Sequence, residues 1–189
     1  GNVEIWDAVT GECTSLPARV KDGYTTVDLS LPKGGSCFVV LHNDEPTAKK
    51  SDKRPLHQVV LNNVWEVKFP IGWGAPESIT IKELKPWKEL DISDEGKAFS
   101  GTATYTTTFE ANEAMITSPL TLDLGKVDMV AVVKLNGKHL RTLWCAPYSL
   151  DISPAVVNGS NKLEIEITST WFNRLVYNAS LPEEVRKTW

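Results

Sequence analysis

The chain has 189 residues, a formal net charge of -4 and a pI of about 5.4. That length suits one large β domain or a main domain with a smaller companion. The acidic balance argues against a nucleic-acid backbone or an anionic membrane surface as partner. Hydrophobic residues make up 41% of the chain, enough for a packed core, and no apolar run approaches the roughly 20 residues of a membrane span. No signal peptide opens the chain. Gly1 reads as a cloning remnant, and any leader of a parent protein would lie upstream of it.

Residues 1–42 read as short strands. Val3-Glu4-Ile5-Trp6 alternates, and Asp7 to Glu12 forms a turn. Val27, Leu29 and Leu31 fall on one face of a strand over 25–31, and Pro32-Lys33-Gly34-Gly35 makes another turn. Cys37-Phe38-Val39-Val40-Leu41 is a continuous apolar run of the kind buried on both faces. A few short strands do not make a domain, so this segment reads as the C-terminal strands of an upstream β domain. Residues 43–55, almost without apolar side chains, read as a solvated linker or long loop. The basic residues Lys49, Lys50, Lys53 and Arg54 read as solvated surface.

From residue 56 to 189 the signals become regular. Strands are expected over 57–62, 65–69, 78–84, 99–109, 115–123, 129–135 and 161–169. A Gly-Pro-Trp loop is expected over 70–76, and a loop or a single helical turn over 86–94. Asn136-Gly137 sits between apolar runs and predicts a type I′ hairpin, since both central residues of that turn need positive φ. Short strands with turn signals every 8–12 residues indicate a β-sandwich. No helix of convincing length is expected, and Pro182 to Lys187 allows at most a short one with proline at its first position.

The three cysteines, Cys13, Cys37 and Cys145, fit no metal spacing and no disulfide framework, so buried thiols on strands are expected. A Cys13–Cys37 bridge is a remote alternative. His42, His57 and His139 are scattered, with no grouping for metal or acid–base work. A glycosidase needs two carboxylates about 5–10 Å apart, but Glu164 and Glu166, flanked by Leu163, Ile165 and Ile167, read as the solvent side of a half-buried strand. No cofactor is expected. A structural Ca²⁺ on a sandwich loop is allowed by the fold class, but no motif calls for it.

The aromatic residues supply the site candidates. Sugar rings stack their C–H faces on Trp and Tyr, while Asn and Arg bond the hydroxyls. Trp144, Tyr148, Trp171, Asn173 and Arg174 form the first candidate set, with Trp73 and Trp87 second. The alternative roles weighed for them are packing over the open end of the sandwich, with Arg174 bridging to a loop carbonyl or carboxylate, and docking onto a neighbouring domain.

The stretch Leu122-Asp123-Leu124-Gly125, the Asn136-Gly137 hairpin, Pro147-Tyr148 and Asp151-Ile152 together resemble the galactose-binding-like jelly rolls attached to glycoside hydrolases. Ile5-Trp6-Asp7, Pro32-Lys33-Gly34-Gly35, Gly72-Trp73-Gly74, Phe99-Ser100-Gly101, and Thr170-Trp171 with Asn173-Arg174-Leu175 and Leu181-Pro182-Glu183-Glu184 are similar to the C-terminal region of bacterial family 106 α-L-rhamnosidases. Some of these motifs are shared with family 2 β-galactosidases. The resemblance implies an all-β fold: a jelly-roll sandwich over 56–189, preceded by strands of another β domain over 1–42. It also implies a secreted bacterial parent, periplasmic or extracellular, whose catalytic domain lies upstream, so no catalytic residue is carried over to this chain. The implied partners are an oligosaccharide or polysaccharide and the parent's catalytic domain. The implied role is a non-catalytic accessory domain in carbohydrate degradation, with an autonomous carbohydrate-binding module as the alternative.

Overall fold

A computed structural model describes residues 2–31, 34–43, 49–50 and 60–186. The chain divides into two compact units, residues 1–59 and 60–189.

In the first unit, strands β1 (Asn2–Trp6), β2 (Cys13–Leu16), β5 (Phe38–His42) and β6 (Lys49–Lys50) form one sheet in the order β5-β1-β2-β6, and β3 (Ala18–Lys21) pairs with β4 (Tyr24–Val27) in a separate hairpin. The β1–β2 turn forms because Asp7 Oδ1 accepts from the amides of Val9 and Thr10, both at 2.8 Å, and Gly11 takes φ +72°. Asp22 and Gly23 both have positive φ, the backbone a two-residue hairpin turn needs. The strand expected over 25–31 stops at Val27. β5 differs from the strand buried on both faces that its apolar run implies. It lies at the edge of the described sheet, and Phe38 and Leu41 are 62% and 61% exposed. The described cysteines are free and none is buried: Cys37 and Cys145 flank strands rather than sit in them, and Cys13 is exposed on β2. Within the segment read as linker, Lys49–Lys50 run parallel to β2. Residues 44–48 and 51–59, including His57 and the start of the strand expected over 57–62, lie outside the described residues.

The second unit is an all-β sandwich. Its main layer is a six-stranded antiparallel sheet of β7 (Trp65–Lys68), β8 (Ser78–Ile81), β9 (Thr102–Ala111), β11 (Val130–Leu135), β12 (Lys138–Leu143) and β14 (Gly159–Thr168), in the order β12-β11-β14-β9-β7-β8. Against it stands the pair β10 (Thr121–Asp123) and β13 (Ser149–Asp151), and Trp87, Leu90 and Phe99 belong to the same core. Side chains alternate across the pleat, and the register places like with like. Val133, Ile165, Tyr105, Val67 and Ile79 line up across five strands on the core face, while Lys134, Glu164, Thr106, Glu66 and Thr80 line up on the other. Glu164 and Glu166 therefore lie on the outer face. Glu166 binds Lys134 at 2.5 Å, and that hydrogen bond is the first cause of the raised Lys134 pKa.

The hairpin lies where its sequence places it. Asn136 and Gly137 have φ +52° and +78°. The tip is fastened to β14 by side chains. Asn136 Nδ2 donates to Ala155 O and to Asn161 Oδ1, both at 2.9 Å, and Asn136 Oδ1 accepts from Lys162 N. Asn161, fully buried, also exchanges bonds with both backbone groups of Val157 and donates to Gly159 O, so each of its polar sites is used. A Cβ at Gly137 would meet nothing within 4 Å, so the cost of Gly137→Val is backbone strain alone. A loss of about 1 kcal/mol or more is expected in urea unfolding, and an unchanged midpoint would contradict the turn.

Two elements depart from the sequence expectation. Residues 115–123 are not one strand: Asn112 caps α2 (Glu113–Ile116) by accepting from Met115 N at 3.0 Å, and only β10 remains extended. After β14 the chain forms a nine-residue helix, α3 (Phe172–Ser180), although no helix of convincing length is expected. A four-residue helix, α1 (Asp94–Lys97), precedes β9, and a 3₁₀ turn over Glu183–Val185 follows Pro182.

Candidate functional site

The register gathers several loops at one end of the main sheet. Leu143 pairs with Ala131, Ala131 with Ile167, Ile167 with Ala103, and Lys68 with both Thr104 and Ser78. The segments after β12 and β14, the one before β9 and the β7–β8 loop therefore share that end. The Gly72-Trp73-Gly74, Phe99-Ser100-Gly101 and Trp171-Phe172-Asn173-Arg174 stretches, far apart in sequence, converge there.

The centre of this end is an ion pair. Arg174, on α3, is 3% exposed and its Nη2 donates to Glu95 Oε1 at 3.1 Å. The guanidinium also lies 5.8 Å from the Tyr177 ring centre. The Arg174 amide donates to Ser100 Oγ at 3.2 Å. Glu95 stands on α1, whose cap Ser93 accepts from Gly96 N and donates to Gly74 O. Gly74 is required here: a Cβ on it would fall 2.2 Å from Glu95 Cγ, and its φ is +84°. Ser169 N donates to Gly101 O at 2.9 Å, joining the end of β14 to the start of β9. The polar side chains of this region thus hold α3 and the β7–β8 loop onto the sheet.

The aromatic candidates separate by burial. Trp73 and Trp171 meet edge to face, with ring centres 5.4 Å apart, and remain 41% and 49% exposed. Asn173 is exposed on α3 but faces a groove lined by Phe172, Val176 and Lys97, about 160° around the helix from Trp171. Trp144 is also exposed, but it follows β12, two strands and about 10 Å across the sheet from β14. Tyr148 is buried, and its hydroxyl donates to Met129 O at 2.6 Å, fixing the segment after β12 to the start of β11. Trp87 is a core residue: its Nε1–H donates to Tyr105 Oη at 2.7 Å and its ring packs on Phe69 and Phe99. Burial pushes the Tyr105 phenol above its ordinary pKa, with the Trp87 donor partly offsetting it. The structure therefore pairs Trp171 with Trp73 and turns Arg174 of the same helix inward, while Asn173 faces the groove, Trp144 follows a strand two places across the sheet, and Tyr148 and Trp87 are buried.

Sequence reading missed Glu95, Ser100 as a hydrogen-bond acceptor, and α3 itself. The signal for α3 was present in the four-residue spacings Trp171–Leu175 and Phe172–Val176. Glu95, 79 residues from Arg174, carried no local signal.

The family model described as the glycosyl hydrolase 2 galactose-binding domain-like domain matches residues 93–188, from the cap of α1 to beyond α3. A protein of Formosa agariphila, provisionally named a beta-glucuronidase, is 41% identical over 139 residues, covering 72% of this chain and 12% of the relative. A solved rhamnosidase from Novosphingobium sp. PP1Y superposes with a TM-score of 0.82 at 36% identity, over 99% of this chain and 18% of that one. A beta-glucuronidase of an uncultured Clostridium sp. shares the fold over 57% of this chain, with a TM-score of 0.50 at 21% identity. The chain thus spans a small fraction of the length of each of these relatives.

Proposed function

Because the chain belongs to the glycosyl hydrolase 2 galactose-binding-like domain family, we propose that it is a non-catalytic accessory β-sandwich of a larger glycosidase, serving carbohydrate degradation whose chemistry is carried elsewhere in the parent polypeptide. The observation that carries this reading is the match to the rhamnosidase over 99% of this chain but only 18% of that one. The site geometry supports it. Arg174 and Glu95, the most chemically suggestive pair, are engaged with each other and hold α3 in place, and Glu164 and Glu166 lie on the outer sheet face bound to lysines. On this reading residues 1–42 are the closing strands of a preceding β domain, residues 43–55 the connection, and residues 56–189 the accessory domain. The exposed Phe38 and Leu41 of β5 support the first assignment.

A second reading, a carbohydrate-binding module, is favoured by one observation: the exposed pair Trp73–Trp171. Open aromatic ring surfaces are what the C–H faces of a pyranose stack on. Sugar contact there would be weak, with Kd on the order of 0.1–1 mM.

Trp171→Ala tests both readings. In the full-length gene product the accessory reading expects kcat on an aryl glucuronide or aryl rhamnoside to stay within about threefold of the unsubstituted enzyme, whereas losing a group that acts in the transition state costs about a hundredfold or more. The larger loss would place the chemistry at this end and overturn the accessory role. In affinity electrophoresis of the 189-residue chain, the module reading expects polysaccharide retardation that Trp171→Ala removes with the circular dichroism spectrum unchanged.

A further inference from the structure

α3 is amphipathic in the reverse sense for a surface helix. Such helices normally turn their apolar stripe toward the core. Here Arg174 and Asn178 are 3% and 4% exposed, while Phe172, Val176 and Leu175 are 68%, 55% and 49% exposed. At about 100° per residue, Leu175, Ala179, Phe172 and Val176 fall within an arc of about 100°, and Arg174 and Asn178 are centred about 130° away from its middle. On the inward side the Arg174 guanidinium is held by Glu95 and the Arg174 backbone amide by Ser100. The outward apolar face has no such account within the described residues. Exposed apolar surface of this extent, rimmed by polar groups, marks a contact surface.

Phe172, Asn173, Val176 and Tyr177 form one wall of an open groove of about 350 Å³, and Ala98, Lys97, Asp94 and Lys88 line its other side. Lys97 lies 3.6 Å from Asp94, and Lys88 is exposed. With Lys97 paired to Asp94, Lys88 leaves the rim with a net positive charge, and an apolar floor beside it suits an apolar segment with a carboxylate at its flank.

We propose that the outward face of α3 and this groove dock onto another domain of the same parent polypeptide, through an apolar segment flanked by an acidic residue. The proposal rests on the accessory-domain reading. That occupant is favoured over a second copy on two grounds. Relatives in which this sequence is 12% and 18% of the chain carry the rest of the polypeptide tethered beside it, at high effective concentration. A two-fold pairing of the face with itself would set one basic rim against another.

The test is thiol accessibility at position 176. Val176→Cys is prepared in the 189-residue chain and in the full-length gene product, and maleimide labelling is followed by site-resolved mass spectrometry, which separates the new thiol from Cys13, Cys37 and Cys145. Lys126→Cys, at a side chain 92% exposed, is the control. Labelling at 176 is expected to be at least about tenfold slower in the full-length product than in the short chain, with the control equal in both. Equal rates at 176 would overturn the proposal. So would slowing in the short chain that grows with its concentration, which would indicate a second copy, and so would a gene product no longer than these residues. Phe172→Ser with Val176→Ser gives an independent readout: the melting temperature of the full-length product should fall while that of the short chain should not, and no change in the full-length product counts against docking. Glycoside hydrolysis by the full-length product is scored separately. A protected position 176 in a product without such activity would keep the docking face and sink the accessory role, and the converse result would do the reverse.

Discussion

Glu95→Ala is expected to lower the stability of the chain by about 3–5 kcal/mol, because it leaves a buried cation without its counter-charge. The Arg174 side chain is 4% exposed, against 31% for Glu95. The arginine is therefore the member that cannot recover solvation, and its Nη1 has no hydrogen-bond partner among the described residues. Glu95→Gln should cost less, since an acceptor remains within reach of Nη2. The double substitution Glu95→Ala with Arg174→Met should recover much of the loss, because removing both charges removes the desolvation problem. Denaturant unfolding of the unsubstituted chain, Glu95→Ala, Arg174→Met and the double variant checks this as a thermodynamic cycle. Strictly additive losses would show that the pair does not hold α3 to the sheet end.

Phe99→Ala is expected to cost about as much, 3–5 kcal/mol, for a different reason. Phe99 is 1% exposed and sits between Phe69, with ring centres 5.1 Å apart and planes at 79°, and Trp87, at 5.0 Å and 59°. Truncation would open a cavity beside a ring that is itself pinned. Trp87 is tied to Tyr105 through Nε1, so it cannot swing in to fill the space. The backbone also leaves little slack: a Cβ on Gly101 would come 3.0 Å from Phe99 Cζ. A loss below about 1 kcal/mol would mean that this cluster is not the core of the sandwich.

The main sheet was legible because its signals are local. Asn136-Gly137 needs only its own backbone preference, and the alternation through Leu163, Ile165 and Ile167 separates a core face from an outer one without knowledge of the partner strands. The all-β sandwich and the family resemblance followed from those signals. The site was less legible, for three physical reasons. Trp and Tyr serve cores and binding surfaces alike, so nothing in the residue type distinguishes Trp87 and Tyr148, which are buried, from Trp73 and Trp171, which are exposed. The four-residue spacing of apolar residues in α3 shows that a stripe exists but not which way it faces, and here it faces outward. The Arg174–Glu95 pair is made by residues 79 positions apart, brought together only when β9 and β14 align. The apolar run of β5 misled in the same way, because hydrophobicity does not reveal that the strand lies at a sheet edge. In residues 115–123 a single capping side chain, Asn112, decided for a helical turn where composition suggested a strand.

The measurement that bears most directly on the accessory role is hydrolysis by the purified 189-residue chain alone. With a panel of aryl glycosides, fluorescence should not rise above the protein-free rate, while the full-length gene product turns over at least one member of the panel. Linear turnover by the short chain, abolished by substituting one carboxylate such as Glu95, Glu164 or Glu166, would contradict the account.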